Sequence, residues 1–264
     1  MGSYSKIEWT THTFNPWWGC TKVSDGCKFC YAEALSNRYG YGCWGPKNPR
    51  RLMSEDHWRG PIRWNSEAER QGIRYRVFCA SMADVFEEDA PEGQLQRLWE
   101  LIRNTPRLDW QLLTKRPQLI IEKLPDDWGH GYPNVWLGTS VEDSRVLDRI
   151  EHLTSAPSLV RFLSIEPLIG PIDHLALSGI NWVIVGGESG PKARPMSQEW
   201  AKSIHRQCRE AHVPFFFKQW GGVNKKKAGR LLDGEVYDEM PKERAASTTF
   251  VRGTRELVVL NGAV

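Results

Sequence analysis

The stretch LVRFLSIEPLIGPIDHLALSGINWVIVGGE, residues 159–188, contains two short apolar runs that each end in groups able to do chemistry. The first run, 159–167, closes on Ser164 and Glu166, and the second, 181–188, on Gly186, Gly187 and Glu188. Both are rich in β-branched or aromatic residues and bounded by turn formers, as strands buried in a parallel sheet are. The same description fits RYRVFCAS (74–81), DWQLLTK (109–115), NVWLGTS (134–140) and VPFFFKQ (213–219). Helical faces lie between the runs: Leu95, Leu98, Trp99 and Ile102; Leu147, Ile150 and Leu153; Trp200, Ile204, Cys208 and Ala211. Successive runs begin 22 to 35 residues apart, the length of a strand–helix unit. IEWTTHTF (7–14) brings the expected strands to seven. The expected fold is therefore α/β, a parallel βα-repeat barrel, TIM-like and either partial or complete, with six or seven strands. A barrel is preferred over an open dinucleotide-binding sheet because no Gly-rich fingerprint follows the first strand.

The 264 residues suit one large domain. Residues 1–220 are read as the barrel, interrupted at 40–73 by a polar, Pro/Gly-punctuated, irregular insertion. Residues 221–264 are read as a C-terminal extension that wraps the core or frays, with a lysine run at 225–227. No stretch is apolar for long enough to span a bilayer, and the opening MGSYSKIEWTTHTF has neither a signal-peptide core nor Arg-rich transit character. Lys6 excludes a myristoylation signal. The expectation is a cytoplasmic protein with no membrane partner. The formal charge of +3 is compatible with a polyanionic ligand without demanding one.

Three of the six cysteines, Cys20, Cys27 and Cys30, fall within one glycine-containing loop just after the first expected strand. Clustered thiols in a reducing compartment bind metal or do chemistry more often than they form disulfides. Three thiolates can hold an iron–sulfur cluster and leave one iron without a protein ligand. The competing reading is a structural zinc site completed by Cys43 or His12. Cys79, in a strand, and Cys208, on a helix's apolar face, read as core residues. In parallel α/β folds ligands bind at the carboxyl ends of the strands. Those ends carry Ser81 and Asp84; Thr114, Lys115 and Arg116; Ser140 and Glu142; Ser164 and Glu166; Gly186, Gly187, Glu188 and Ser189; Lys218 and Gln219. All six runs end in binding-competent groups, more than turn chemistry requires, so a site is expected there.

With these features, FNPWWGCTKVSDGCKFCYAE (14–33), SMADVF (81–86), LLTKRP (112–117), LSIEPLIGPI (163–172) and VIVGGESGPKARPM (183–196) resemble the radical S-adenosylmethionine superfamily. Within it they are most similar to a phage-associated, largely uncharacterised radical-SAM-like family. The resemblance covers about residues 7–220. It implies a [4Fe-4S] cluster on Cys20, Cys27 and Cys30, with S-adenosylmethionine chelating the unique iron through its amino and carboxylate groups. It further implies reductive cleavage to a 5′-deoxyadenosyl radical, hydrogen abstraction from a substrate, and an electron donor such as flavodoxin or ferredoxin. Two features depart from the superfamily pattern. Six residues, not three, separate the first two cysteines, and SMADVF stands where Gly-Gly-Glu is usual. On this reading Ser81 and Asp84 meet the methionine amino group, and Lys115 or Arg116 meets its carboxylate. Phe29 packs on adenine or covers the cluster rim. Gly186 and Gly187 allow close backbone approach to the ribose or adenine, Glu188 accepts hydroxyl hydrogen bonds, and Ser140 and Glu166 complete the cofactor contacts, Glu166 with a cation from Lys115, Arg116 or Lys218 beside it.

A nucleic acid or nucleotide substrate is suggested by Lys47, Arg50, Arg51, Arg59 and Arg63, interleaved with Trp44, Trp58 and Trp64, together with the 225–227 lysines. The alternatives are a non-catalytic zinc- or cluster-binding module and a radical enzyme acting on a peptide or small metabolite.

Overall fold

The computed structural model describes residues 4–224 and 228–241. Its elements in chain order are β1 (His12–Thr13), β2 (Trp17–Trp18), α1 (Tyr31–Arg38), β3 (Arg51–Leu52), α2 (Glu55–Gln71), β4 (Tyr75–Cys79), α3 (Gln94–Arg103), β5 (Leu108–Thr114), α4 (Ile120–Lys123), β6 (Val135–Ser140), α5 (Asp148–Ser155), β7 (Val160–Ile165), β8 (Trp182–Gly186), α6 (Gln198–Glu210) and β9 (Phe215–Gln219). Seven strands form one sheet in the order β1-β4-β5-β6-β7-β8-β9, every pair parallel. The sheet curls into a half-barrel whose edge strands, β1 and β9, are not paired with each other. The fold is thus a partial TIM-like barrel.

Strand alternation sorts the core into two layers. Val77, Trp110, Leu112, Leu137, Leu163, Val183 and Phe215 face outward and pack under the helices. Phe78, Trp136, Val160, Phe162, Trp182, Ile184 and Phe216 face inward and, with Trp9, plug the concave side. Gly138 makes that plug fit: a Cβ there would lie 2.3 Å from the Phe162 ring. One step further toward the strand ends the inward residues shrink to Ala80, Ser140, Ser164 and Gly186, and the interior opens.

The expectation of an irregular 40–73 segment is corrected by α2. Ser54 caps it by accepting from the His57 amide, Gly72 ends it in the left-handed region at φ 69°, and Trp58, Trp64 and Ala68 are buried beneath it. Gly60-Pro61 reads as a break, yet the apolar face holds the helix through it. In α6 the buried face is Ala201, Ile204 and Cys208; Ala211, expected on that face, is exposed at the cap. Between β7 and β8 an irregular segment takes the place of a crossover helix, and Leu168, Ile172, Leu175, Leu177 and Ile180 fill its volume. After β9 the chain returns along it: the Phe217 amide donates to the Tyr237 carbonyl at 2.9 Å, and Trp182 Nε1 donates to the Glu239 carbonyl at 2.8 Å. The 225–227 lysines and residues 242–264 of the extension lie outside the described residues. No helix among the described residues is long and apolar enough to cross a membrane.

Candidate active site at the carboxyl ends of the strands

The loop after β2 carries the three cysteines over the mouth of the half-barrel. Gly19 starts it at φ 120°, and a Cβ there would meet the Cys43 carbonyl at 2.2 Å, so only glycine suits the position. A single 3-10 turn, Asp25–Cys27, presents Cys27, and Cys30 stands at the start of α1. All three cysteines line one cavity of about 410 Å³, which is also lined by Ser81, Asp84, Lys115, Arg116, Ser140, Glu166, Gly187, Glu188 and Lys218. Residues far apart in the sequence therefore share one cavity, as the parallel strand direction requires.

The far side of the loop is fastened to the opposite wall. Ser24 Oγ donates to Glu142 Oε1 at 3.1 Å, and Arg145 Nη1 lies 2.7 Å from Asp25 Oδ2. Arg194 Nη2 donates to the Asp25 carbonyl at 2.9 Å. Gly26 presses so closely on Glu142 that a Cβ would sit 2.4 Å from its carboxyl group. Glu142 is buried between Lys115 Nζ at 2.7 Å and Arg149 Nη1 at 2.9 Å. Burial opposes its ionisation, but the two cations and Ser24 outweigh that and hold its carboxyl below the usual range. Burial also opposes the Lys115 charge, and Glu142 with the nearby Cys27 sulfur more than restores it.

Arg116 ties the near side. It donates to Glu88 at 2.8 Å, to Asp84 at 3.2 Å, to the Thr21 carbonyl at 2.7 Å and to Cys20 Sγ at 3.7 Å. Burial pushes the Cys20 thiol up to about 12, with Asp84 and Glu87 adding and Arg116 opposing. Burial likewise raises Cys30. In the metal-free protein these two are thiols at neutral pH, and a bound metal has to displace their protons.

The strand-end residues already have partners within the protein. Asp84 accepts from the Phe86 and Lys115 amides, Thr114 Oγ1 and Arg116, which fills its acceptor sites and leaves none for an amino group. Arg116 is spent on the contacts above, and Lys115 on Glu142. Glu188 is clamped by Arg194 through Nε at 2.9 Å, Nη2 at 2.6 Å and the main-chain amide at 2.9 Å. Gly187 is glycine because a Cβ would strike the Trp220 carbonyl at 2.0 Å, so its close approach is to the neighbouring chain. Phe29 sits at the rim with Lys28 and Arg194 each 5.4 Å from its ring. Ser81 Oγ bonds Asn15 at 3.1 Å, and Ser140 lends its carbonyl to Arg149 at 2.9 Å. Glu166 pairs with Lys218, whose Nζ lies 2.6 and 2.8 Å from its two oxygens. Arg149 and Arg194 were not foreseen, since neither stands at a strand end.

Neither proposed fourth ligand of a zinc site joins the three cysteines on one centre, although Cys20 and Cys30 pack against the small core that holds Cys43. His12 is buried in β1, its ring stacked 4.3 Å from that of Trp64, and Cys43 sits in a small core with Trp18, Trp44 and Met82, its Sγ 3.2 Å from Ser36 Oγ. Among the described residues no three His, Cys, Asp or Glu side chains converge on a single metal ion. A tetrahedral zinc needs its sulfurs gathered at about 2.3 Å from one centre, whereas a polynuclear cluster takes one thiolate per iron and suits wider spacing. Three soft thiol donors lining one cavity, with Arg116 on Cys20 and Lys115 near Cys27, are a donor set that such a cluster would accept.

The expected nucleic-acid surface does not form as a set. Trp44, Trp58 and Trp64 are buried, and Arg50 is enclosed with its fork on Glu87 at 2.9 and 2.8 Å and on the carbonyls of Cys43, Gly45 and Asn48. Lys47, Arg51, Arg59 and Arg63 are exposed.

The chain belongs to the family described as protein of unknown function (DUF5131), whose model matches residues 4–241. No curated protein matches it. Among solved structures it is similar to a spore photoproduct lyase mutant with bound AdoMet and dinucleoside spore photoproduct, at 14% identity and TM-score 0.49, covering 80% of this chain and 64% of that one. It is also similar to spore photoproduct lyase complexed with dinucleoside spore photoproduct, at 13% identity and TM-score 0.49 over the same shares. At these values the likeness carries no meaning for individual residues.

Proposed function

We propose that this DUF5131 protein is a radical S-adenosylmethionine enzyme that holds a [4Fe-4S] cluster on Cys20, Cys27 and Cys30 and acts on a nucleotide-type substrate. The observation that supports this most is that three cysteines from one loop line a single half-open cavity at the carboxyl mouth of a parallel half-barrel. When bound, such a cluster supplies the single electron for reductive cleavage of S-adenosylmethionine, which initiates hydrogen abstraction; a separate donor such as a flavodoxin or ferredoxin would refill it.

The chain's own residues prepare that chemistry. Arg116 and Lys115 place positive charge beside the sulfurs and offset part of the burial that keeps Cys20 and Cys30 as thiols until a metal binds. Glu142, held by Lys115 and Arg149, keeps the loop seated through Ser24 and Gly26. Trp44 and Ala32 give the cysteine side of the cavity an apolar lining that excludes water. Ser81, Ser140 and Gly187 line the same space and offer polar groups to S-adenosylmethionine, with Phe29 at the rim.

Iron and acid-labile sulfide analysis after anaerobic reconstitution tests the assignment. Close to four of each per chain is expected, with loss of both in Cys20→Ala, Cys27→Ala and Cys30→Ala but not in Cys43→Ala. Stoichiometric zinc with no sulfide would overturn it.

A further inference from the structure

We infer that Glu166 and Lys218 form a second subsite in the cavity, one that binds the substrate through a planar edge carrying an N–H donor beside a carbonyl acceptor, as an oxo-nucleobase does. This rests on the reading of the cavity as a radical enzyme's active site and adds the chemistry that its substrate must present.

The strand-end charges are not equivalent. Asp84 accepts four hydrogen bonds, Arg116 spans four partners, Lys115 is locked to a Glu142 that Arg149 and Ser24 also hold, and Glu188 takes three contacts from Arg194. Among the described residues the Glu166 and Lys218 side chains bond only to each other. Their side chains retain 22% and 14% of their exposure, and both line the cavity. The Lys218 ammonium has a third N–H to give, and the Glu166 oxygens have lone pairs to spare.

The sequence also keeps the space around the pair clear. Glu166 follows β7 and Lys218 lies on β9, and the strand between them presents Gly186, where a Cβ would already be in van der Waals contact with Glu166 at 3.4 Å and a longer side chain would take the space beside it. Ser164, Ser140 and Ala80 line the same chamber with equally short side chains. Trp9, Phe78 and Leu113 supply an apolar wall.

Charge balance defines the ligand. An anion that drew Lys218 away would leave the half-buried Glu166 unpaired, and a cation that drew Glu166 away would strand the half-buried Lys218; either is unfavourable. A neutral edge with adjacent donor and acceptor can enter the pair and satisfy both charges at once, Lys218 donating to the carbonyl and Glu166 accepting the N–H. Bonds to charged partners are the stronger kind. An apolar wall suits the flat face of the ring that carries such an edge, and enzymes acting on bases read them by this combination of edge and stacking.

The test is calorimetric titration of the reconstituted full chain with uridine, guanosine, 3-methyluridine and glycine at low-millimolar concentration. Wild type is compared with Lys218→Met and with the double variant Glu166→Gln, Lys218→Met, which is neutral and leaves no unpaired charge. Uridine or guanosine binding is expected in wild type, about 10- to 100-fold weaker in both variants, and 3-methyluridine, whose N–H is blocked, should fail to bind. Melting temperature and iron content of the double variant should match wild type, as should its affinity for S-adenosylmethionine. The subsite is overturned if no nucleoside binds wild type, if 3-methyluridine binds as uridine does, or if glycine binds in place of the nucleosides. Loss of S-adenosylmethionine binding in the double variant would also overturn it, by assigning the pair to that cofactor. Failure of the radical reading has a separate readout, the absence of iron and sulfide from wild type.

Discussion

The two halves of the cavity wall are built on different principles. From β4 to β6 the charges interlock: Arg116 with Asp84, and Glu142 between Lys115 and Arg149, are joined through the Lys115 amide on Asp84 and also hold the cysteine loop. From β7 to β9 the wall is sparse, with small side chains and a Lys–Glu pair that has no other partner among the described residues. A fully satisfied network is rigid and costly to rearrange. A pair with spare valences and open space can exchange partners with little disturbance. The first half suits a resident group that must stay in place, and the second suits a ligand that comes and goes.

That contrast breaks most visibly if the rigid half is damaged. Glu87 lies beneath the cysteine loop with the Arg50 fork on its two oxygens. Glu87→Ala should leave the buried Arg50 guanidinium with only the half-exposed Asp89, 3.4 Å away, as counter-charge and cost about 3 kcal/mol, read as a shift in urea midpoint. Gly26→Ala should come next. The new methyl group has to displace Glu142, so about 1–3 kcal/mol of overpacking strain is expected, with loss of iron uptake. An unchanged iron content in that variant would show that the loop is not fixed where we place it.

Glu142→Gln sharpens the comparison through pH. The carboxyl is held below its usual range in the folded chain, so its contribution to stability is present above the unfolded value of about 4.3 and is lost as pH falls through the lower folded value. The stability difference between wild type and Glu142→Gln should therefore be full at neutral pH and shrink in acid below that point, as measured by urea melts across the range. A difference that grew on acidification would contradict the assignment. Smallest of all should be Arg63→Ala, an exposed side chain paired with exposed Asp56, with an effect within about 0.5 kcal/mol.

The sheet was legible because each strand is a short apolar run closed by polar residues, and the shared strand direction follows from the helical faces between most of them. The cysteine loop was legible for its spacing. Helix α2 was not, because Gly60-Pro61 signals a break locally while Trp58, Trp64 and Ala68 supply the tertiary burial that sustains the helix. Arg50 read as a surface cation since its five donors are satisfied mainly by main-chain carbonyls and by Glu87, 37 residues away, partners that no local pattern announces. The position of Asp84 and Glu188 at the cavity was legible from the strand ends, but whether an acid is open or already saturated depends on neighbours that only the fold assembles.

The central claim is that Cys20, Cys27 and Cys30 leave one iron open to S-adenosylmethionine. Electron paramagnetic resonance of the reconstituted, reduced protein tests it most directly, recorded with and without that nucleotide. A four-iron signal whose shape changes when S-adenosylmethionine is added is the predicted result. A four-iron signal indifferent to S-adenosylmethionine, or no cluster signal at all, would contradict it.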